Sequence, residues 1–364
     1  SSHFTESSNI MPEIEILDTG LIDHRDSAFP QAVQLPNGDL LCSFNVGGGP
    51  NVSGGTDWSR STDGGKTWDL QGTILHPDVK LKSTNALKLS LSADGQTIFA
   101  YGSRHYRDVK SKFGEGKNEP VVCISNDGGN KWTSPTVINL PFDCPLEISH
   151  GILPLHSGKL LAPAALLTSP EKLGDKVIAA VSSDGGKSWP DVVTLFEDPK
   201  GQHGYFEQKL AEISPGKLIA TSWTVTLGNV KDLQNSYVIS NDNGNSWAVP
   251  MNTGIFGQTM TPIPLGTDRF LIFYNRRYGA QGIVMNLVET KGNQWEVVFE
   301  DFLYDAMAQK DRPKDLTSGV EEFYGFEFGF PTGLRLFGGN IFATHWMKKD
   351  GKFGIMWTKL RIDW

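Results

Sequence analysis

One pattern recurs four times in this chain and constrains its fold more than any bulk property. SRSTDGGKTW ends at Trp68, CISNDGGNKW at Trp132, VSSDGGKSW at Trp189 and VISNDNGNSW at Trp247. The shared core is Ser-x-Asp-x-Gly-x-x-Trp, with aspartates at Asp63, Asp127, Asp184 and Asp242, nearly evenly spaced. Regular self-similarity of this kind marks a repeat architecture, in which stacked units bury faces that a single unit cannot. Each copy lies between apolar runs. The glycines permit positive φ in a tight turn, and the Asp and Ser side chains can bond backbone N–H groups within it. The Trp can pack on a neighbouring sheet. These are structural jobs, so the repeated aspartates are expected to hold turns rather than do chemistry.

A second repeat runs alongside. FPQAVQLPNGDLLCSFN (Phe29–Asn45) is two alternating apolar runs around a Pro-Asn-Gly turn, which reads as a β-hairpin. Similar hairpins centre on Gly95, Gly158, Gly216, Gly266 and Gly338, at a comparable spacing along the whole chain. Each hairpin is followed by a second strand pair, and no convincing helical period intervenes. The expectation is an all-β fold: a six-bladed β-propeller of four-stranded antiparallel blades, forming one domain over residues 1–364. The fifth unit carries only a degraded motif, ETKGNQW (Glu289–Trp295), and the sixth has none.

Composition narrows the function classes. The net charge is −8 and there is no long basic run, so nucleic acid is not an expected partner. No apolar segment nears the roughly 18 residues of a membrane span. The three cysteines lack metal-type spacing, and neither a metal nor a cofactor is expected; one disulfide stays open. The polar start SSHFTESSNI has no apolar signal core. It fits either a cytoplasmic protein or one whose leader has been removed.

The Ser-x-Asp-x-Gly-x-x-Trp copies resemble the Asp-box, or bacterial neuraminidase repeat, of the sialidase superfamily. The resemblance implies a six-bladed propeller with the Asp-boxes on the turn between third and fourth strands, remote from the active face. It also implies secretion or periplasmic export. On the opposite face, the segments entering each innermost strand and following each second strand are unusually polar. They include His24, Arg25, Asp26, Asp57, Arg104, His105, Glu147, His150, His203, Tyr205, Glu207, Arg276, Arg277, Tyr278 and Tyr324. Carboxylates, cations and aromatics in one funnel suit a carbohydrate.

The superfamily binds a sialate carboxylate with three arginines and uses a Tyr–Glu nucleophile and an Asp acid/base. EQKLAEISPGKL puts Glu207 at the catalytic glutamate position. Arg276 or Arg277 stands for the third arginine and Asp57 lies near the Asp position, whereas Ala28, Asn235 and Phe330 occupy the places of two arginines and the tyrosine. The resemblance therefore implies a glycoside hydrolase acting on a non-sialate glycan, acidic glycans included. Glu207, His150, His203, Asp57 and Tyr324 are the catalytic candidates. Arg25, Asp26, Arg104, His105, Tyr205, Arg276, Arg277 and Tyr278 are the substrate-binding candidates. The alternatives are a non-catalytic glycan-binding propeller, and a true exo-sialidase or polysaccharide lyase.

Overall fold

The expected strand pairs assemble into six sheets arranged as a ring, in a computed structural model that describes residues 11–106, 114, 116–316 and 325–364. Blade one pairs Ser27–Gln34, Leu40–Val46, Thr56–Ser61 and Asp69–Leu75, from the axis outward. Blade two runs Ser83–Leu91, Ile98–Tyr106, Asn118–Ser125 and Thr136–Val137. Blade four runs His203–Ser214, Lys217–Thr226, Asp232–Ser240 and Met251–Asn252, and blade five Gln258–Pro264, Arg269–Arg276, Gly282–Lys291 and Gln294–Asp305. In blade three the innermost strand is split into Leu146–Glu147 and Leu153–Pro154, both paired with Leu160–Leu167, followed by Leu173–Ser182 and Asp191–Glu197.

Blade six has no copy of the motif because its third and fourth strands are not consecutive in sequence. Phe328–Arg335, Ile341–Lys349 and Lys352–Asp363 supply three strands, and the fourth is Glu13–Asp23 from the start of the chain. That strand runs antiparallel to Lys352–Asp363, from Glu13 opposite Asp363 to Asp23 opposite Ile355. The ring is thus closed by backbone hydrogen bonds between the two ends of the sequence, and blade six exposes no edge that a shorter unit would leave.

Each Ser-x-Asp-x-Gly-x-x-Trp copy builds the same turn. Ser182 Oγ donates to Asp184 at 2.8 Å and accepts the Gly186 N–H at 2.9 Å, while Asp184 accepts the Ser188 N–H at 2.9 Å. The Ser61, Ser125 and Ser240 copies repeat these bonds, each at 2.8 Å or 2.9 Å. The turn needs two successive residues at positive φ, such as Gly185 at 75° and Gly186 at 88°. In the fourth copy Asn243 takes the first of these positions at 63°, tolerable because asparagine is the side chain best suited to that region.

The turns also join blades. A Cβ on Gly65 would sit 2.5 Å from the Phe342 ring of blade six, and one on Gly129 would sit 2.9 Å from Trp58 of blade one. The motif tryptophans follow suit: Trp68 packs with Phe342, Trp132 with Trp58, and Trp295 of the degraded fifth copy with Tyr237. Apolar clusters fill the interfaces, among them Leu161, Ala179 and Val238 between blades three and four. Each fully buried large side chain contributes about 1.5–3 kcal/mol. Cys42, Cys123 and Cys144 are all free, so packing and sheet closure hold the ring.

Candidate active site

Three features of the innermost strands shape the axial floor. First, four of these strands carry a bulge at which a non-glycine residue adopts a left-handed conformation. These residues are Phe29 in blade one, Glu207 in blade four, Thr259 in blade five and Phe330 in blade six, with φ between 49° and 53°. Each coincides with a register break: Ala28/Gln31, Phe206/Lys209, Gln258/Thr261 and Gly329/Thr332. Phenylalanine and β-branched threonine are disfavoured there, at about 1–3 kcal/mol each. A bulge re-aims the side chains that follow it. Strain repeated at one level in four blades marks a site that packing over-determines.

Second, the split strand of blade three leaves backbone carbonyls unpaired, and two lysines satisfy them. Lys88 Nζ, from blade two, donates to the Ile148 carbonyl at 3.2 Å and to its own strand's Ala86 carbonyl at 3.2 Å. Lys209 Nζ, from blade four, donates to the Ser149 carbonyl. Both lysines are buried. Their ammonium groups also lie over aromatic faces: Lys209 is 3.4 Å from the Phe330 ring centroid, and Lys88 is 5.7 Å from Phe29 and 5.5 Å from Phe330.

Third, two carboxylates from adjacent blades meet on this floor. Glu147 Oε2 accepts the Glu207 backbone N–H at 3.1 Å, and Glu147 Oε1 accepts the Ser149 hydroxyl. Glu207 in turn accepts the Thr259 hydroxyl from blade five. Residues 147, 150 and 207 are partly accessible, whereas the lysines beneath are not.

The electrostatics follow from burial. Burial, reinforced by the neighbouring Glu207 charge, pushes the Glu147 carboxyl up to about 7. His150, whose Nδ1 lies 2.7 Å from the Gly151 carbonyl, is pulled down to about 4 by burial and by the Lys209 charge. It is neutral at pH 7. Burial brings Lys88 down to about 8 and Lys209 well below its ordinary value.

The other expected residues occupy separate positions. Arg25 is held by Asp23 at 2.8 Å and by Asp57 at 3.0 Å, and Asp57 also accepts the Thr73 hydroxyl at 2.7 Å. The Asp26 carbonyl accepts the N–H groups of Gly47, Gly48 and Gly49, and its carboxylate accepts the Phe353 N–H, tying blade one to blade six. Arg104 pairs with Glu119 at 2.7 Å beside Tyr106, and His105 shares that strand end. Arg276 lies 3.7 Å from Glu300. Arg277 is 4% exposed, donates to Gln258 and to the Phe328 carbonyl, and is sandwiched on Phe326 and Phe328. Tyr278 donates to Asp232, which also accepts the Trp223 indole N–H. His203 and the buried Tyr205 line a lateral groove with Asp198 rather than the axial floor. Tyr324 lies outside the described residues.

At the positions lacking the expected arginines, Ala28 and Asn235 are both fully buried. Phe330 is 3% exposed and makes an edge contact with Phe29 at 5.2 Å. Lys88, Lys209, Thr259 and Ser149 were not expected at the site from sequence. The available signal was a lysine within each apolar inner strand, in NALKLSL and QKLAEI.

No protein-family model and no curated protein sequence matches the chain. Solved structures do match its fold. A crystal structure of a protein of unknown function from Dyadobacter fermentans aligns with a TM-score of 0.74 at 19% identity, over 96% of this chain and 99% of that one. An α-L-arabinanase of Penicillium chrysogenum, complexed with arabinobiose, aligns at 0.63 and 16% identity, over 95% and 98%. A sialidase from Streptococcus pneumoniae aligns at 0.62 and 10% identity, over 93% and 68%. The fold is the sialidase-like six-bladed propeller.

Proposed function

We propose that this propeller is a carbohydrate-active enzyme that hydrolyses glycosidic bonds of a non-sialate glycan at the axial floor. The observation that carries the reading is the Glu147–Glu207 pair: two partly accessible carboxylates on adjacent blades, the first bonded to the backbone of the second. Glycoside hydrolysis needs one carboxyl protonated and one ionised, and unequal environments can supply that. Glu147, raised to about 7, retains a proton near neutrality and can give it to the departing glycosidic oxygen. Glu207, oriented by Thr259, serves as base toward water or as nucleophile at the anomeric carbon. His150 is neutral at that pH and contributes hydrogen bonding rather than charge.

The arginines support a non-sialate substrate. Arg25, Arg104 and Arg276 are each already paired with a carboxylate, and Arg277 is buried on protein acceptors. An acidic sugar would have to compete for them. The sialidase and arabinanase neighbours add weight to the carbohydrate class, and glycan access fits the secreted or periplasmic setting that we infer from the Asp-boxes.

The test is hydrolysis of a panel of neutral and acidic oligosaccharides by wild-type protein and by Glu207→Gln and Glu147→Gln. Product release by wild type and its loss in both variants supports the reading; turnover that survives both substitutions removes it. A second reading, a glycan-binding propeller without catalysis, is favoured by Phe330, whose ring stands where the resemblance places a nucleophilic hydroxyl. Retained glycan binding with no product from any substrate would select it.

A further inference from the structure

The strand that carries Glu207 begins at a second concavity. His203 lies four residues before Glu207, about 13 Å of extended chain. It stands in a groove of about 350 Å³ formed between the exit of blade three, at Asp198 and Pro199, and one face of blade four. This volume lies within the range of small-molecule pockets, about 300–1,000 Å³. The groove crosses blade four from its innermost strand, at Tyr205, to its outermost, at Asn252.

Its lining is mixed and pre-set. Asn252 Nδ2 donates to Gln234 Oε1 at 2.8 Å, and Asn252 Oδ1 accepts the Gly254 N–H at 2.7 Å, so both amides have fixed orientations. Tyr205 is 1% exposed, packs in a tilted ring contact with Phe196 at 5.0 Å between centroids, and lines the groove. Asp198 and His203, 4.0 Å apart, add a carboxylate and an imidazole. Phe256 forms the apolar wall and is 58% exposed. An exposed aromatic ring sharing one groove with amides, a phenol and a carboxylate matches a sugar ring, which offers an apolar face and a rim of hydroxyls.

We infer that this groove binds one or two sugar units of a glycan chain whose scissile bond lies at the axial floor, so that the substrate is an oligo- or polysaccharide rather than a lone terminal sugar. As a substrate-chain subsite it rests on the glycosidase reading; as a glycan-binding site it does not.

Affinity electrophoresis of the full chain in gels containing arabinan, galactan or glucomannan tests it. The Glu207→Gln protein is expected to be retarded by at least one polymer. Adding Phe256→Ala or Gln234→Ala should lower the retardation constant at least fivefold, while neither substitution in the wild-type background changes turnover of short 4-nitrophenyl glycosides. Retardation that ignores both substitutions, or that none of the three polymers produces, overturns the groove. If hydrolysis is never seen yet retardation depends on Phe256, the groove stands and the glycosidase reading falls. If hydrolysis is seen and retardation is independent of Phe256, the glycosidase reading stands and the groove falls.

Discussion

The two ends of the propeller solve the same problem, turning a strand, in opposite ways. On the face of the repeated Ser-x-Asp-x-Gly-x-x-Trp motif the turns use residues suited to positive φ, Gly185 and Gly186 for instance, and their Ser and Asp oxygens find partners. Four copies are nearly superimposable in their hydrogen bonds. On the axial floor, positive φ falls on Phe29, Glu207, Thr259 and Phe330, residues that resist it. Among these four strained positions only the two phenylalanines are alike. The comparison separates a face tuned for stability from one that holds strain and buried charge, as functional surfaces commonly do.

The sharpest way to break this contrast is to neutralise one residue of each kind. Glu207→Gln should lower turnover at least 100-fold, the lower end of what a positioned acid or base supplies, while leaving the melting temperature nearly unchanged. Steady-state rates and thermal unfolding check both halves. On the other face Gly65→Val should cost about 3 kcal/mol or more of stability without touching kcat, because its φ is +96° and its Cβ would meet Phe342 at 2.5 Å. Chemical denaturation at fixed pH measures it.

Glu147→Gln tests the electrostatic side. With its carboxyl at about 7, the folded wild type keeps a proton that the unfolded chain releases near 4.5, so this group makes stability fall as pH rises between those values. His150, held at about 4, works in the other direction between about 4 and 6.5, because there the unfolded chain binds the extra proton. Removing Glu147 leaves only the rising contribution. The stability of the variant relative to wild type should therefore grow between pH 4.5 and 7.5, by up to about 3 kcal/mol. Urea unfolding at the two pH values reads the difference, and a flat difference would deny Glu147 its displaced titration. In the active wild type, kcat/KM should decline above about pH 7 as Glu147 loses its proton.

The smallest expected effect is Ser182→Ala. It removes the acceptor for the buried Gly186 N–H and should cost about 1–2 kcal/mol by denaturation, with activity intact. A comparable loss of activity would mean that the staple and the site are coupled across the blade.

The sequence displayed the staple face openly because its chemistry is local. Ser, Asp, Gly and Trp act within one short segment, and each copy repeats the signal. The axial floor was legible only in part. Glu207 stood out through its surrounding pattern, and Glu147 and His150 were visible as polar residues entering blade three. Lys88 and Lys209 were not, because their partners are the Ile148 and Ser149 carbonyls of another blade, exposed only where a strand breaks. Nothing in PLEISHG announces that break. The alternation that marks an inner strand also hid the bulges, since one extra residue changes which side chains face the axis without changing composition. The fourth strand of blade six was hidden because its partner lies at the opposite end of the chain.

That closure between Glu13–Asp23 and Lys352–Asp363 has a kinetic consequence. During synthesis Glu13–Asp23 emerges long before its mate Lys352–Asp363, and contacts of such long sequence separation slow folding. Until then Glu13–Asp23 presents a bare edge, which is open to pairing with another molecule. Refolding yield should therefore fall as protein concentration rises, and a detached peptide of residues 352–363 supplied in excess should compete for the waiting edge.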